Sequence, residues 1–136
     1  MRFFYTKVFG CIPVEPERDL SGKWLEEGTG VKNAHIHGMH FRLPGYNNDG
    51  PTLEIFQYSE TIESGKSLPN QKGFGHIAFH VDDVEEIAAK AIRYGGSMLG
   101  NIVSHQVQGV RLLMFVYISD PDGNTIEIQH WDKDQP

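Results

Sequence analysis

Cysteine is nearly absent from this chain, since Cys11 is the only one among its 136 residues. A single cysteine cannot form an intramolecular disulfide, which excludes a disulfide-stapled secreted domain and favours a reducing compartment. Cys11 is therefore predicted to be a small buried hydrophobic residue. The sequence also lacks a G-x-S-x-G turn, so nucleophilic catalysis by serine or cysteine has little support.

Positive charge is scarce as well. The chain has 12 Lys and Arg residues against 18 Asp and Glu, and its formal net charge of −6 gives no electrostatic attraction to nucleic acid or anionic membranes. No apolar run approaches the roughly 18 residues of a membrane span. The opening MRFFYTKVFG has no signal-peptide cleavage site. We therefore predict a cytoplasmic protein that binds neither nucleic acid nor membranes and whose ligand is a small molecule.

One short segment occurs twice in the chain. A turn rich in Asn, Asp, Gly and Pro precedes the strand-like TLEI of residues 52–55, and another precedes the TIEI of residues 125–128. Both copies place a glutamate at the same point, namely Glu54 and Glu127. The repeat predicts two similar units within one domain.

The second half has the clearer pattern of elements. Residues 74–81 alternate and are rich in Phe, Ile and Val, as in a strand, and Asp82 or Asp83 then offers a helix N-cap. The helix that follows has one apolar face and ends at Gly95 or Gly96. Strands are predicted at about 98–107, 110–119 and 124–131. The predicted apolar positions of the helix are Val84, Ile87, Ala88, Ala91 and Ile92.

The first half repeats this order without its beginning. Residues 2–9 resemble the end of a helix, and residues 21–30 a helical turn. The position equivalent to His76 falls upstream of Met1, so the first half is predicted to lack its opening strand. The polar segment 59–73 is predicted to link the halves. Strands of the first half are predicted at about 11–15, 34–43 and 52–58.

Glu54, His76 and Glu127 are the candidate metal ligands. If the two units pair about a pseudo-twofold axis, the glutamates converge and His76 joins them. Carboxylates held close together repel one another, and a divalent metal is a natural compensation. Imidazole with carboxylate oxygens suits Mn, Fe, Co, Ni or Zn, and the single histidine shifts the preference toward Mn or Mg. The alternative is that all three are ordinary solvated or hydrogen-bonded strand residues.

Two stretches of the second half, GHIAFHVDDVEEIAAKAIRYGG and YISDPDGNTIEIQH, are typical of the vicinal oxygen chelate superfamily, and RFFYTKVFG and RLPGYNNDGPTLEIFQY add weaker support. Over nearly its whole length the chain resembles this superfamily, which includes glyoxalase I, methylmalonyl-CoA epimerase, extradiol dioxygenases and the fosfomycin and bleomycin resistance proteins. The resemblance implies an α+β fold in which two βαβββ modules form an incomplete barrel around a metal. The single domain 1–136 then divides into module one (1–58), truncated at its N-terminus, a linker (59–73) and module two (74–136).

In that family each module supplies one metal ligand from its first strand and one from its last. By position, His76 resembles the first-strand ligand of module two and Glu127 its last-strand ligand. Glu54 resembles the last-strand ligand of module one. The fourth ligand has no counterpart here, so the divalent metal (Mn, Ni, Zn, Co, Fe or Mg) is expected to bind weakly or to be absent.

Other histidines and several aromatic residues are candidates for a ligand pocket. On a strand His35 and His37 share a face while His40 points to the other, and a polar or solvated face is predicted for them rather than a ligand role. His80 shares a strand face with His76 and is therefore a candidate for the pocket wall. A packed position inside the barrel, without contact to a ligand, is an equally good interpretation of His80. Aromatic residues in strands also form plain core. The predicted pocket residues are His80, Phe74, Tyr58, Phe115 and Tyr117.

The resemblance implies a metal-dependent lyase or isomerase of glyoxalase or epimerase type, acting on a small oxygenated metabolite. A metal-bound carbonyl would lose its α proton to Glu127 or Glu54, which occupy equivalent positions. The alternative is a metal-free protein that binds or sequesters a small molecule, as in the bleomycin resistance branch. The absence of the fourth metal ligand favours the metal-free binding protein. The presence of the other three, Glu54, His76 and Glu127, favours the enzyme. An iron-dependent extradiol dioxygenase needs a second histidine and ranks last.

The missing strand also predicts a partner. In the family fold the opening strand pairs with the last strand of its own module, so residues 52–58 are expected to expose an unpaired apolar edge. Because such edges pair with other chains, we predict a homodimer. The alternative is a true start codon about twenty residues upstream, which would restore the strand.

Overall fold

The computed structural model describes residues 1–63, 65, 67–107 and 111–132. Within these residues helices and strands are mixed, which confirms the predicted α+β class. The helices are α1 (Arg2–Phe9), α2 (Lys23–Thr29) and α3 (Val84–Arg93). The strands of one sheet are β1 (Ile12–Ser21), β2 (His35–Arg42) and β3 (Thr52–Tyr58). The strands of the other are β4 (Ile77–His80), β5 (Ser97–Met98), β6 (Val103–Gln106), β7 (Leu112–Ser119) and β8 (Thr125–Trp131).

The chain forms two compact units. The N-terminal unit contains Arg2 and Gly10–Ser64, and the C-terminal unit contains Met1, Phe3–Phe9 and Gly65–Pro136. The division falls within the segment predicted to link the halves. Helix α1 groups with the C-terminal strands, although it precedes the N-terminal ones in sequence.

The N-terminal unit is an antiparallel sheet in the order β1-β2-β3. Leu25 of α2 packs with Ala34 and Ile36 in a small core at one end of this sheet. At Gly38 the backbones of β2 and β3 approach closely, because a Cβ at this position would lie 2.1 Å from the carbonyl oxygen of Ile55. Glycine is therefore required there for steric reasons.

The C-terminal unit is a sheet in the order β4-β8-β7-β5, with β6 also paired to β7. Strand β4 runs parallel to β8, and the other pairs are antiparallel. Helix α3 begins at Asp83, whose side chain accepts a hydrogen bond from the amide of Glu86 and so caps the helix. The β-strand side chains Val116, Ile118, Ile126 and Ile128 are almost completely buried.

Helix α1 packs against this C-terminal unit through aromatic side chains. The rings of Phe9 and Phe79 are stacked, with centroids 4.0 Å apart. The hydroxyl of Tyr5 donates a hydrogen bond of 2.9 Å to Asp120, which is itself buried at the turn before β8. Burial of this large aromatic surface explains why the helix belongs to this unit.

Several predicted boundaries differ from the structure. Strand β1 extends to Ser21, well beyond the predicted end at about residue 15, because pairing with β2 overrides its charged, proline-containing sequence. The register of this pair shifts between Val14 and Arg18, which accommodates Pro16. Strand β4 begins at Ile77, so His76 immediately precedes it. The predicted strand at 98–107 is instead the short strands β5 and β6.

Two local predictions concern single residues. Cys11 is buried with 1% of its surface exposed, as expected, and burial raises the pKa of its thiol to about 11. Ile92, on the apolar face of α3, is 46% exposed, so the buried stripe of α3 is narrower than its apolar stripe. In the described part of the chain no helix has the length and apolarity needed to cross a membrane.

Candidate functional site

The C-terminal unit brings His76 and Glu127 together. Glu127 lies in β8 beside Ala78 of the parallel strand β4, and His76 lies two residues before Ala78, on the same side of the sheet. His76 Nε2 is 3.1 Å from Glu127 Oε2. The side chains are 32% and 14% exposed, so the pair is partly shielded from water.

Tyr117 completes a three-residue arrangement with this pair. It lies directly opposite Glu127 in the antiparallel pair of β7 and β8, and its hydroxyl donates a hydrogen bond to the Glu127 carboxylate. Its ring meets the His76 imidazole edge-to-face, with centroids 4.9 Å apart. Burial, then the charge of Glu127 and the hydrogen bond to it, raise the pKa of the Tyr117 phenol above its usual 10.0.

Phe115 extends the aromatic side of this arrangement. It lies two residues from Tyr117 on β7, and the two rings are in edge contact with centroids 6.0 Å apart. Phe115 and Tyr117 were both predicted to line a pocket; Tyr117 contacts the His76–Glu127 pair and Phe115 contacts Tyr117, and their pocket role stays a prediction.

Glu54 lies in the N-terminal unit, where its partner is a histidine of the neighbouring strand. His40 of β2 is directly opposite Glu54 of β3, and His40 Nε2 is 3.6 Å from Glu54 Oε1. The Glu54 side chain is 63% exposed. Tyr58, another predicted pocket residue, packs at the other end of β3 against the core of Leu25, Ala34 and Ile36.

The remaining predicted pocket residues have different surroundings. The ring of His80 stacks on that of His130, with centroids 5.5 Å apart and an angle of 17° between the planes. His130 Nδ1 in turn donates a 2.7 Å hydrogen bond to the carbonyl oxygen of Val81. Phe74 is 84% exposed. Pocket roles for His80 and Phe74 stay predictions.

The family resemblance implies a metal, and the His76–Glu127 pair fits two of its coordination positions. Two donor atoms bound at about 2.1 Å to one ion, at an angle of about 90–109°, lie about 3.0–3.4 Å apart. The observed 3.1 Å falls in this range. Within the described residues, however, no group of three or more His, Cys, Asp or Glu side chains is arranged to hold a metal ion. The predicted set of Glu54, His76 and Glu127 draws on both units and stays a prediction.

The sequence analysis did not predict the partners of Glu54 and His80, which are His40 and His130. The contact between His40 and Glu54 depends on the register of β2 against β3, in which the paired residues are symmetric about Asn47. The stacking of His130 on His80 had no local signal, because it depends on the parallel pairing of β4 and β8.

Comparison with known proteins gives the family. Residues 1–128 match the family model described as the Glyoxalase/Bleomycin resistance protein/Dioxygenase superfamily. The chain belongs to this superfamily. A search of the curated proteins gives no match.

Solved structures of glyoxalase-like proteins share the fold of this superfamily member. A glyoxalase family protein from Bacillus cereus aligns over 94% of this chain and 85% of its own length, with a TM-score of 0.74 and 18% identity. A glyoxalase family protein from Enterococcus faecalis aligns over 93% and 82%, with a TM-score of 0.55 and 24% identity. The fosfomycin resistance protein FosX from Listeria monocytogenes aligns over 96% and 82%, with a TM-score of 0.55 and 17% identity. At these identities the likeness extends to the fold, which confirms the predicted fold class.

Proposed function

We propose that this superfamily member is a metal-dependent lyase or isomerase that moves a proton next to a metal-bound carbonyl of a small oxygenated metabolite. The observation that carries the proposal is the His76–Glu127 pair, whose nitrogen and oxygen are 3.1 Å apart beside the Tyr117 hydroxyl. The imidazole that precedes β4 and the carboxylate on β8 supply both a metal ligand set and a proton acceptor.

His76 and Glu127 would hold the ion, with Glu54 as the third ligand that the family resemblance predicts. A bound Mn, Ni, Zn, Co, Fe or Mg ion would act as a Lewis acid that lowers the barrier to removing an α proton by several kcal/mol. Tyr117 keeps the Glu127 carboxylate in place through its hydrogen bond. Phe115 and Tyr117, whose rings are in edge contact, would form the apolar side of the site.

Glu54 and Glu127 are the candidates for the base, and their environments differ. The Glu127 side chain is 14% exposed and contacts both His76 and Tyr117, whereas the Glu54 side chain is 63% exposed and contacts His40. Replacement by glutamine separates the roles. A base variant keeps the metal and loses turnover, while a ligand variant loses the metal.

Metal binding is the first test. Purified protein is incubated with Mn²⁺, Ni²⁺, Zn²⁺ or Mg²⁺, dialysed, and its metal content measured by elemental analysis. We expect binding by the wild type and loss of binding in His76→Ala; between Glu127→Gln and Glu54→Gln, the variant that keeps the metal identifies the base. His105→Ala is the matched control, because His105 is an exposed histidine on β6 of the same unit. Equal metal content in all variants would contradict the proposed ligands.

Proton transfer is the second test. Small α-hydroxy ketones, 2-oxoaldehyde hemithioacetals and 2-substituted acyl thioesters are incubated with the metal-loaded protein in D₂O. Exchange of the α hydrogen for deuterium is followed by NMR. The proposal predicts exchange of at least one substrate class that disappears in Glu127→Gln or Glu54→Gln and on removal of the metal by a chelator.

A metal-free binding protein is the second candidate function. It is favoured by the absence, within the described residues, of a group of three metal-ligating side chains. A chain that binds none of the four metals yet binds a small molecule would support this function. Tight ligand binding unaffected by chelator distinguishes it from the enzyme.

We also propose that the protein is a homodimer in the cytoplasm. Within the described residues β3 is an outer strand of its sheet, and its free edge is suited to pairing with a second chain. Light scattering coupled to size-exclusion chromatography measures the mass in solution. A monomer at all concentrations up to those used for metal binding would contradict the dimer.

A further inference from the structure

The two faces of the C-terminal sheet differ in burial. On one face Ile118, Ile126 and Ile128 are 0% exposed. The opposite face carries Glu127 and Tyr117, and its side chains are partly exposed. Cross-strand pairing arranges them in three successive rows: Tyr117 with Glu127, then Val103 with Phe115 and Gln129, then His105 with Leu113 and Trp131.

The second and third rows are mainly apolar, although they lie beside a polar cluster. The first row holds the Glu127 carboxylate, which contacts His76 and the Tyr117 hydroxyl. Beyond it, Val103 is 45% exposed, and Phe115 and the third-row side chains are partly exposed. Apolar and aromatic lining with a few convergent polar groups is the usual composition of a small-molecule site. This face therefore matches a ligand with a polar end and an uncharged, apolar end.

Two aromatic side chains flank the second row. Trp131 belongs to the third row, but its Nε1 atom donates a 3.0 Å hydrogen bond to Gln129 Oε1, so the indole extends toward the second row. On β7 the ring of Phe115 lies in the second row and meets the ring of Tyr117, with centroids 6.0 Å apart. The indole and the Phe115 ring thus come from neighbouring strands to the same part of the face.

The spacing of the rows indicates the size of the group that would fit. Successive rows are two residues apart, which is about 6.5–7 Å along a strand. A substrate whose carbonyl oxygen lies at the first row reaches the second row when its carbonyl carbon carries a six-membered ring. A methyl group on that carbon ends short of Phe115 and Trp131 and leaves their apolar surface in water.

We propose that Phe115, Gln129 and Trp131 form a subsite for an apolar substituent of about the size of an aromatic ring, attached to the carbonyl carbon of the substrate. This inference rests on the proposed function, since it places the reacting oxygens at the His76–Glu127 pair. The substrate class is then aryl-substituted oxygenated metabolites, such as aryl α-hydroxy ketones, rather than their short aliphatic counterparts.

The test compares two ketones with the same polar end, 2-hydroxyacetophenone and hydroxyacetone, by NMR titration of the metal-loaded and the metal-free protein. The phenyl ketone should bind at least about tenfold more tightly, since apolar contacts of one small group already discriminate by about this factor.

Alanine variants locate the subsite. Phe115→Ala and Trp131→Ala should each weaken binding of the phenyl ketone about tenfold or more and change hydroxyacetone binding less than about twofold. The matched controls are Phe3→Ala on α1 and Trp24→Ala on α2, whose side chains are 74% and 61% exposed. Both controls should leave the affinity for either ketone within about twofold of the wild type. Circular dichroism checks that each variant is folded.

A measurement on the wild type does not depend on the folding of variants. Trp24 and Trp131 are the two tryptophans of the chain, and their indole N–H signals are resolved in a ¹H–¹⁵N spectrum and assigned with Trp24→Ala. The phenyl ketone should shift the Trp131 signal. The Trp24 signal should stay in place, because that indole donates to the carbonyl oxygen of Ser21 on the N-terminal unit.

The outcomes separate this inference from the proposed function. Equal affinity for the two ketones, no binding of either, or a Trp131 signal that does not shift overturns the subsite, while metal binding and α-hydrogen exchange still decide the proposed function. If the wild type binds no metal and exchanges no α hydrogen, the proposed function is wrong. Binding of the phenyl ketone that still depends on Phe115 and Trp131 then supports the subsite in a metal-free binding protein.

Discussion

The turn before β8 depends on one buried carboxylate, and its removal should be among the most damaging single changes in the C-terminal unit. Asp120 is 2% exposed. It accepts hydrogen bonds from the Tyr5 hydroxyl at 2.9 Å, from the amides of Asp122 and Asn124 at 3.0 and 2.9 Å, and from the Asn124 side chain at 2.8 Å. It thus fixes the turn that leads to Glu127 and ties α1 to that turn.

The loss of unfolding free energy on removing the Asp120 carboxylate can be estimated from these hydrogen bonds. A buried hydrogen bond to a charged acceptor contributes about 1.5–3 kcal/mol, which applies to the bond from Tyr5. The three turn donors are only partly buried and can turn to water, so each contributes about 0.5–1 kcal/mol. Asp120→Ala should therefore lower the free energy of unfolding by about 3–6 kcal/mol, and Tyr5→Phe by about 1.5–3 kcal/mol.

The assay is urea unfolding followed by circular dichroism, with the double variant Tyr5→Phe/Asp120→Ala completing the cycle. Asp122→Asn is the control, because it changes an exposed carboxylate in the same turn and should shift stability by less than about 0.5 kcal/mol. The reasoning is refuted if Asp120→Ala is as mild as the control. It is also refuted if the losses from Tyr5→Phe and Asp120→Ala simply add, since the two residues would then not interact.

Three further predictions concern other parts of the chain. Gly38→Ala would place a Cβ 2.1 Å from the Ile55 carbonyl oxygen and should destabilise the protein by about 2 kcal/mol or more. The control is Gly28→Ala in α2, where a Cβ would meet nothing within 4 Å, and this variant should be neutral or stabilising. Thermal unfolding measures both. Because burial raises the Cys11 pKa from 9.0 to about 11, its contribution to stability is complete below pH 9 and is lost between pH 9 and 11. The wild type should therefore lose about 3 kcal/mol more than Cys11→Ala across that window in urea titrations, and parallel curves would contradict this. The Tyr117 phenol should ionise above pH 10, as measured by the 295 nm absorbance difference between the wild type and Tyr117→Phe, and Glu127→Gln should lower that pKa by removing the neighbouring charge. An unchanged titration in Glu127→Gln would refute the contact.

Much of the fold could be predicted from the sequence because its signals are local. The alternation of residues 52–58 and 124–131 defines β3 and β8 to within a residue, and the Asp83 cap and the apolar stripe define α3. Prediction failed where pairing overrides composition. Strand β1 contains two prolines and several charges, and it is a strand because β2 lies beside it.

The candidate site was predicted in part. His76 and Glu127 were selected from the repeat and the family resemblance, and they lie 3.1 Å apart. The partner of Glu54 was not foreseen, because which side chains face each other depends on the register of β2 against β3. For the same reason the stacking of His80 on His130 could not be read from neighbours in sequence.

The sequence by itself determined most of the strands and helices, where the repeat places its two glutamates, and that Cys11 is buried. Those properties arise from hydrophobic periodicity and turn residues, which act over a few neighbouring positions. Only the tertiary structure decided that α1 packs with the C-terminal unit, that Tyr117 holds Glu127 and that His40 stands opposite Glu54. The formation of these contacts depends on strand register and aromatic packing, which no local pattern specifies.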